Sequence, residues 1–470
     1  MTLPDSTAPA DSFRIQPLWG RSILWLLFLG PFFFLSYGFS NQWAASRGIE
    51  TSLFFAWEQH IPFLPWTIIP YWSIDLFYGL SFLLCRTPRD VDQHALRLLT
   101  AQLIAVTCFL LFPLCFAFER PPVDGFFGML FGALATFDLP YNQAPSLHIA
   151  LLIIIWERFA STLPPRWRLI VHAWSLLVGI SVLTTYQHHF IDVPTGALVG
   201  LLCLWLWPTS GSSPVIPRIG RMTRLHLRLG ARYLLAASAL SVPAFTHGGF
   251  ALWGLWISLA LLMVSITYLS ADGKGFQKVN GRHSLAVRLL FAPYRLGAWC
   301  NCRLWRLFRT YPPVNINANV WLGPNPNRKE FSNTIPGGFS ALVDLCPELS
   351  SPPNAQHDAQ HCVSLPWLDL VPPTTRQLVE AARAIESTRQ LIGTKDSLLV
   401  CCALGYSRSV CAVIAWLYWT HRAASVDEAI ARVQERCPHI VLSNQHRLVL
   451  RSLEGVREEE NEQDEVSTNA

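Results

Sequence analysis

Eight apolar runs in the first 270 residues constrain this 470-residue chain more than any other feature. They occupy Ile23–Phe39, Phe63–Leu84, Leu98–Phe118, Pro145–Phe159, Leu169–Thr185, Ile191–Trp207, Tyr233–Phe245 and Phe250–Leu269. A helix crosses the hydrocarbon layer with about 20 apolar residues, and several runs are shorter, so eight spans is the best count. The apolar stretch Gly125–Thr136 is too short to join them and is expected to be a re-entrant or interfacial piece. Composition agrees with a membrane setting: 51% of residues are hydrophobic and only 14% charged, with 19 Trp and 28 Phe.

Basic residues orient the spans. Arg86, Arg89 and Arg97, then Arg158, Arg166 and Arg168, then Arg218, Arg221, Arg224, Arg228 and Arg232, then Lys274, Lys278 and Arg282 fall in alternate connections. With the basic loops in the cytoplasm, both termini lie there, and the loops holding Arg120, His148 and His188 face outward. The alternation breaks if Gly125–Thr136 spans. The formal charge of +5 sits beside apolar runs, so it reads as membrane topology and excludes nucleic acid as a partner. No small-residue cleavage site follows the first run, so that run is an anchor and residues 1–22 a cytoplasmic tail.

The last 150 residues read as a soluble domain, organised around VCCALGYSRS at Val400–Ser409. Five residues separate Cys402 from Arg408, enough for a loop whose backbone N–H groups, with the start of a following helix, surround a tetrahedral dianion. Gly405 lets that loop turn. The Cys402 sulfur lies at the floor, where the same N–H groups favour a thiolate able to attack phosphorus. Arg408 grips two phosphate oxygens through its planar fork, Ser407 and the loop complete the cradle, and Ser409 assists departure of the thiolate. Ser397–Val400 reads as a buried strand and Arg408–Trp419 as a helix.

These residues resemble the dual-specificity branch of the Cys-x5-Arg phosphatases over about the last 150 residues. NVWLGPNP at Asn319–Pro326 and GFSALVDLCPEL at Gly338–Leu349 look like that family's first two strands. The resemblance implies a general acid some thirty residues before the nucleophile, and Asp369 in LPWLDLVPP fits. Asp344 is a rival for that role, although its place after a strand-like run suits a cap. The family's usual His before the nucleophile is Cys401 here. Twelve cysteines without framework spacing fit a reducing compartment for this domain, and the Cys300–Cys302 pair lacks further ligands, so neither metal nor cofactor is expected.

A second constellation lies in the outward loops. YNQAPSLHIALL sets His148 at a helix start, and YQHHFIDVPTG sets His188 four residues before Asp192, on one helical face. The carboxylate then fixes the imidazole tautomer, and two histidines can flank one phosphate. Over roughly Leu98–Trp207 these motifs resemble the type 2 phosphatidic acid phosphatases, and most closely the branch with sphingomyelin and inositol-phosphorylceramide synthases. The resemblance implies His188 as nucleophile, Asp192 as its orienter, His148 as general acid, and Ser146 and Arg120 as phosphate contacts. Pro113 and Val182 stand where that pattern has Lys and Arg, which favours headgroup transfer or plain lipid binding over phosphomonoester hydrolysis. His189 lacks the four-residue relation to Asp192.

The expected fold class is a multi-pass α-helical membrane bundle followed by an α/β Cys-dependent phosphatase domain. Its parts are a tail (1–22), a six-helix lipid-phosphatase-like domain (23–207), two further membrane helices (208–270), a basic amphipathic linker (271–312), the phosphatase domain (313–456) and an acidic disordered tail (457–470). Three functions follow: a two-site membrane phosphatase acting on phospholipid, a membrane-anchored protein-tyrosine or dual-specificity phosphatase acting on phosphoprotein, and a non-catalytic lipid-binding module. The absence of basic residues among Ala403, Leu404, Tyr406 and Ser407 favours a single phosphate over a highly phosphorylated headgroup.

Overall fold

The structure, a computed structural model, describes residues 18–209, 211–216, 222–309, 311–353, 355 and 362–468. The first 17 residues, Arg218 and Arg221 lie outside the described residues. The chain divides into two compact units, Met1–Ser213 and Pro214–Ala470.

The first unit is helical: α1 (Leu18–Ser46), α2 (Ile68–Ser81), α3 (Pro88–Leu111), α4 (Gly125–Ala135), α5 (Leu147–Thr162), α6 (Pro165–Thr184) and α7 (Asp192–Leu206). Each of the six expected spans in this region falls on a helix. Helix α4, at 11 residues, is about 16 Å long, roughly half the hydrocarbon thickness. Among the described residues five helical stretches are long and apolar enough to cross a membrane, while α7 is apolar but shorter. Helix α5 packs against α2, α3, α6 and α7. At Gly196 a Cβ would collide with the Ser146 carbonyl, so glycine lets the start of α7 meet the start of α5 backbone to backbone. The other ends of these helices collect charge. Arg158 of α5 pairs with Asp90 of α3 at 2.8 and 2.9 Å, Arg97 donates to the Trp207 carbonyl at 2.8 Å, and Arg21 pairs with Asp92 at 2.6 Å.

The second unit begins with α8 (Arg224–His247) and α9 (Gly254–Leu269), which pack on each other and belong with the C-terminal part of the chain. A hairpin of β1 (Lys278–Val279) and β2 (Arg282–His283) follows, then α10 (Leu285–Leu290) and α11 (Ala292–Phe308). The segment expected to be a linker is therefore folded. It leads into β3 (Val314–Asn317), β4 (Val320–Pro324), α12 (Arg328–Asn333), β5 (Ala341–Asp344), β6 (Cys362–Ser364), α13 (Thr375–Ile392), β7 (Leu398–Cys402), α14 (Arg408–Trp419), α15 (Val426–Arg436) and α16 (Asn444–Thr468).

Strands β3 to β7 form one sheet in the order β3-β4-β7-β5-β6, with β3 antiparallel to β4 and the rest parallel. Central β7 is buried at every residue, as a parallel strand covered on both faces must be. Its side chains alternate: Leu398, Val400 and Cys402 pack toward α13 and α14, while Leu399 and Cys401 face Phe331, Phe339 and Leu342. The acidic tail, expected without structure, continues α16 to Thr468. Leu450 and Leu453 anchor that helix in the core, and the Glu- and Gln-rich sequence beyond favours its propagation.

Lys278 ties the hairpin to the sheet. Its buried ammonium donates to Asp344 at 2.6 Å and to the carbonyls of Cys346 and Leu349 at 2.7 and 2.5 Å. The neighbouring carboxylate outweighs burial and holds the Lys278 pKa above its usual value, although burial is the largest single influence and acts in the opposite direction. Lys278→Met leaves the Asp344 charge buried without its cation, so it is expected to cost about 3 kcal/mol. The thermal unfolding midpoint should fall in this variant and recover in part in Lys278→Met/Asp344→Leu.

Candidate active site

Cys402 ends β7, Arg408 begins α14, and the five residues between them form the loop. Gly405 has φ +80°, and a Cβ there would lie 2.7 Å from the Gly323 carbonyl carbon and 2.9 Å from Pro324 N. Only glycine meets both demands, because the loop must pass against the end of β4. The Cys402 carbonyl accepts from Asn325 N at 2.7 Å and fixes the floor from the same side. Ser409 donates its hydroxyl to Cys402 Sγ at 3.2 Å, as a group that stabilises a departing thiolate must. Ser407 Oγ lies 3.3 Å from His446 Nε2.

Arg408 is buried and its fork is fully engaged. Nη1 donates to Glu348 Oε2 and the Trp367 carbonyl, both at 3.0 Å, and Nη2 donates to Glu348 Oε1 at 2.9 Å and lies 3.0 Å from Asp369 Oδ1. Burial works against the charge, yet the two carboxylates dominate together and hold the Arg408 pKa well above the usual arginine range. Asp369 thus stands over the loop, 49% exposed, with its carboxylate on the guanidinium that would receive phosphate. Asp344 is elsewhere, buried under Lys278, Ser351 and the Cys346 N–H, which matches a cap and leaves it no route to substrate. Burial keeps the Cys401 thiol well above the usual cysteine range, and its side chain points into the opposite core.

The sequence reading omitted Glu348, the residue that holds the fork of Arg408. Its only local sign was a carboxylate directly after a buried strand, in LCPEL. The residues flanking the loop were missed as well. A cavity of about 570 Å³ above Cys402 is lined by the charged groups Glu348, Asp369 and Arg408. Tyr233, Ile257, Leu261, Pro293, Tyr294 and Leu370 line it as well. The apolar wall therefore comes largely from α8, α9 and α11. Tyr268 of α9 donates to the Asp369 carbonyl at 3.2 Å and ties the acid's backbone to the same wall.

In the first unit, His188 Nδ1 lies 3.2 Å from Asp192 Oδ2, and the Ser146 N–H donates to the Asp192 carbonyl at 3.1 Å. His148 stacks on Tyr71 with ring centroids 4.1 Å apart and lies within electrostatic range of His188. Ser146 is fully buried and its hydroxyl caps α5 at Ile149 N. Arg120 donates to the Tyr186 carbonyl at 3.4 Å and lies over the Phe131 ring. His148 Nε2, Arg120 Nε and Asp192 Oδ1 are buried atoms without a hydrogen-bond partner. His189 is unsuited to attack: its Nδ1 lies 3.0 Å from Glu58 and its Nε2 accepts from the Ala117 N–H at 3.0 Å. Burial raises the Glu58 carboxyl, but hydrogen bonds from His189 and two backbone N–H groups prevail and hold it below the usual range. Among the described residues no cluster fit to hold a metal ion occurs.

Gly405→Ala is expected to lower phosphatase turnover by about 100-fold or more, because the loop must reshape to admit the methyl group and misplaced donors cost that much. Steady-state kinetics on p-nitrophenyl phosphate with purified full-length protein measures the loss.

Residues 320–455 match the family described as dual specificity phosphatase, catalytic domain. No curated protein matches the chain. Among solved structures, Tk-PTP in its active form is similar at 26% identity over 31% of this chain and 99% of that one, with a TM-score of 0.27. PTPMT1 is similar at 21% identity over 32% and 99%, with a TM-score of 0.28, and it has also been solved in complex with PI(5)P. The chain thus carries, over residues 320–455, a domain similar to the dual specificity phosphatase catalytic domain, whose chemistry is hydrolysis of phosphoric monoesters.

Proposed function

We propose that the chain is a membrane-bound phosphatase that hydrolyses the phosphomonoester of a phospholipid headgroup at the cytoplasmic face through a phospho-cysteine intermediate. The observation that carries this reading is the mixed lining of the cavity above Cys402, where the cradle and its charged groups share one cavity with apolar side chains of α8, α9 and α11. A substrate with a phosphate at one end and an apolar body at the other satisfies both. The apolar stretch Gly249–Leu269, which includes α9, is long and apolar enough to cross a membrane, which supports a substrate drawn from the bilayer.

The chemistry proceeds in two steps. Substrate phosphate displaces the Asp369 carboxylate from Arg408 Nη2, while Glu348 keeps its hold on the fork. The Cys402 thiolate attacks phosphorus, the bond to the ester oxygen breaks, and Asp369, in its protonated form, transfers its proton to that oxygen as the alcohol leaves. Water then attacks the phospho-cysteine, Asp369 accepts its proton, and the S–P bond breaks with the electron pair returning to sulfur, where the Ser409 hydroxyl stabilises it. Arg408 neutralises the equatorial oxygens in both steps.

A second site in the first unit is part of the proposal: His188, oriented by Asp192, attacks a lipid phosphate, with His148 as acid and Arg120 as its cationic contact. Support comes from the His188–Asp192 pair and from the unpartnered buried atoms Arg120 Nε and His148 Nε2. With Pro113 and Val182 in place of two cations, the site suits transfer of a headgroup better than hydrolysis of a monoester. The arginine-rich helix ends lie at the opposite end of α5, which by the positive-inside rule supports an outer-side histidine site, and cytoplasmic termini are part of the same proposal.

Purified full-length protein in detergent is to be assayed on phosphatidylglycerophosphate, a phosphoinositide and a phosphotyrosine peptide. Higher kcat/KM on a lipid is expected, and activity confined to the peptide would replace this reading with that of an anchored protein phosphatase. Cys402→Ser is expected to abolish phosphomonoesterase activity and His188→Ala to leave it within about twofold. Loss of the same activity in both variants would rule out two independent sites.

A further inference from the structure

A second cavity, of about 480 Å³, lies between α11 and the sheet domain. Arg288, Arg295, Arg303, Arg306 and Arg328 all line it, and among the described residues no carboxylate does. Arg306 is paired with Glu330 at 3.1 Å. Arg295 donates to neutral oxygens, the Glu348 carbonyl at 3.2 Å and Ser350 Oγ at 2.8 Å. Arg288, Arg303 and Arg328 are exposed and have no acidic partner among the described residues. Burial, and after it the like charge of Arg288, hold the Arg295 pKa below the usual arginine range.

The same helix carries an apolar face. Leu296 and Trp299 line the cavity, with Arg303 over the Trp299 ring at 5.1 Å, and Leu307 and Phe308 further along are 80% and 77% exposed. Guanidinium groups match phosphate oxygens by charge and by geometry, and exposed aliphatic and aromatic side chains match acyl chains.

We propose that this cavity is a binding site for the phosphate of an anionic phospholipid, whose acyl chains run along the exposed face of α11. It is separate from the Cys402 cradle and does not depend on which ester that cradle hydrolyses. Cys302 and Leu349 border both cavities, and Arg295 joins them chemically, since it holds the backbone of Glu348, whose carboxylate holds Arg408. A lipid bound here lies one residue away from the catalytic arginine.

The test uses the full-length chain with Cys402→Ser, so that no ester is consumed, in detergent, with lipid occupancy read by native mass spectrometry. Dihexanoyl phosphatidylglycerol, dihexanoyl phosphatidylcholine and glycerol 3-phosphate are titrated in parallel. Phosphatidylglycerol should bind about tenfold or more tightly than the other two, and Arg288→Gln/Arg303→Gln should remove that advantage. Arg288→Lys/Arg303→Lys, which keeps both charges, should retain most of it. Thermal midpoints verify folding, and Arg328→Glu at an exposed position supplies the same readout should the double glutamine variant not fold. Equal binding of glycerol 3-phosphate, or undiminished phosphatidylglycerol binding by a folded charge-removing variant, overturns the proposal.

Discussion

The bidentate pair between Glu348 and Arg408 is the interaction on which the catalytic unit depends. A phosphate cradle needs its arginine aimed inward with its charge intact, and a buried guanidinium is tolerated only when a carboxylate meets it in good geometry. Glu348 supplies that carboxylate from the stretch that runs from the end of β5 at Asp344 to Ser351 and has no regular structure beyond the strand. The segment is held from outside the sheet. Lys278 binds the carboxylate and two carbonyls along it, His283 Nε2 donates to the Pro347 carbonyl at 2.7 Å, and Arg295 binds the Glu348 carbonyl. Burial, followed by the charges of Arg295 and Lys278, pushes the His283 pKa down to about 3, so the ring stays neutral and donates from one fixed nitrogen. The β1–β2 hairpin and α11 are therefore structural parts of the active site.

This arrangement links the apolar helices to the chemistry. Helices α8 and α9 pack in the same unit as the sheet, and residues from both line the cavity over Cys402. Through the Tyr268 hydroxyl, α9 also holds the backbone of Asp369. The neighbouring Leu370 adopts φ +60° and is 67% exposed, so the acid's loop presents an apolar side chain toward the cavity mouth at the expense of backbone comfort. Each of these features suits a substrate with an apolar body, and none is needed to bind phosphate alone.

Much of the fold was legible in the sequence, for reasons that differ between regions. Apolar runs marked all eight long helices of the first 270 residues, because hydropathy depends only on local composition. The cradle was legible because Cys402, Gly405, Arg408 and Ser409 fall within one short strand–loop–helix stretch whose spacing constrains its geometry, and α14 begins and ends where the pattern placed it. Strands β3 and β6 were not legible: VNIN is polar in alternation and lies at an edge, and Cys362–Ser364 is only three residues long. The roles of Glu348 and of the tyrosines of α8, α9 and α11 were not legible, and Lys278 read only as a topology signal, because these roles arise from contacts between residues 60 to more than 100 positions apart, as in Lys278–Asp344 and Tyr268–Asp369. Acidic composition by itself points to disorder from residue 457 on, whereas a helix already anchored by Leu450 and Leu453 propagates through good helix formers to Thr468.

The most direct measurement is kcat/KM of the full-length protein across a homologous series of n-alkyl phosphates in a single non-ionic detergent below its micellar concentration. The phosphate chemistry is constant along the series and only the apolar body grows. If α8, α9 and α11 form a wall that substrate contacts, kcat/KM rises by up to about fourfold per added methylene until the wall is spanned, then levels off. A flat series from butyl to dodecyl phosphate would mean that the apolar wall contributes nothing to substrate recognition, and would contradict the link between the helices and the Cys402 site.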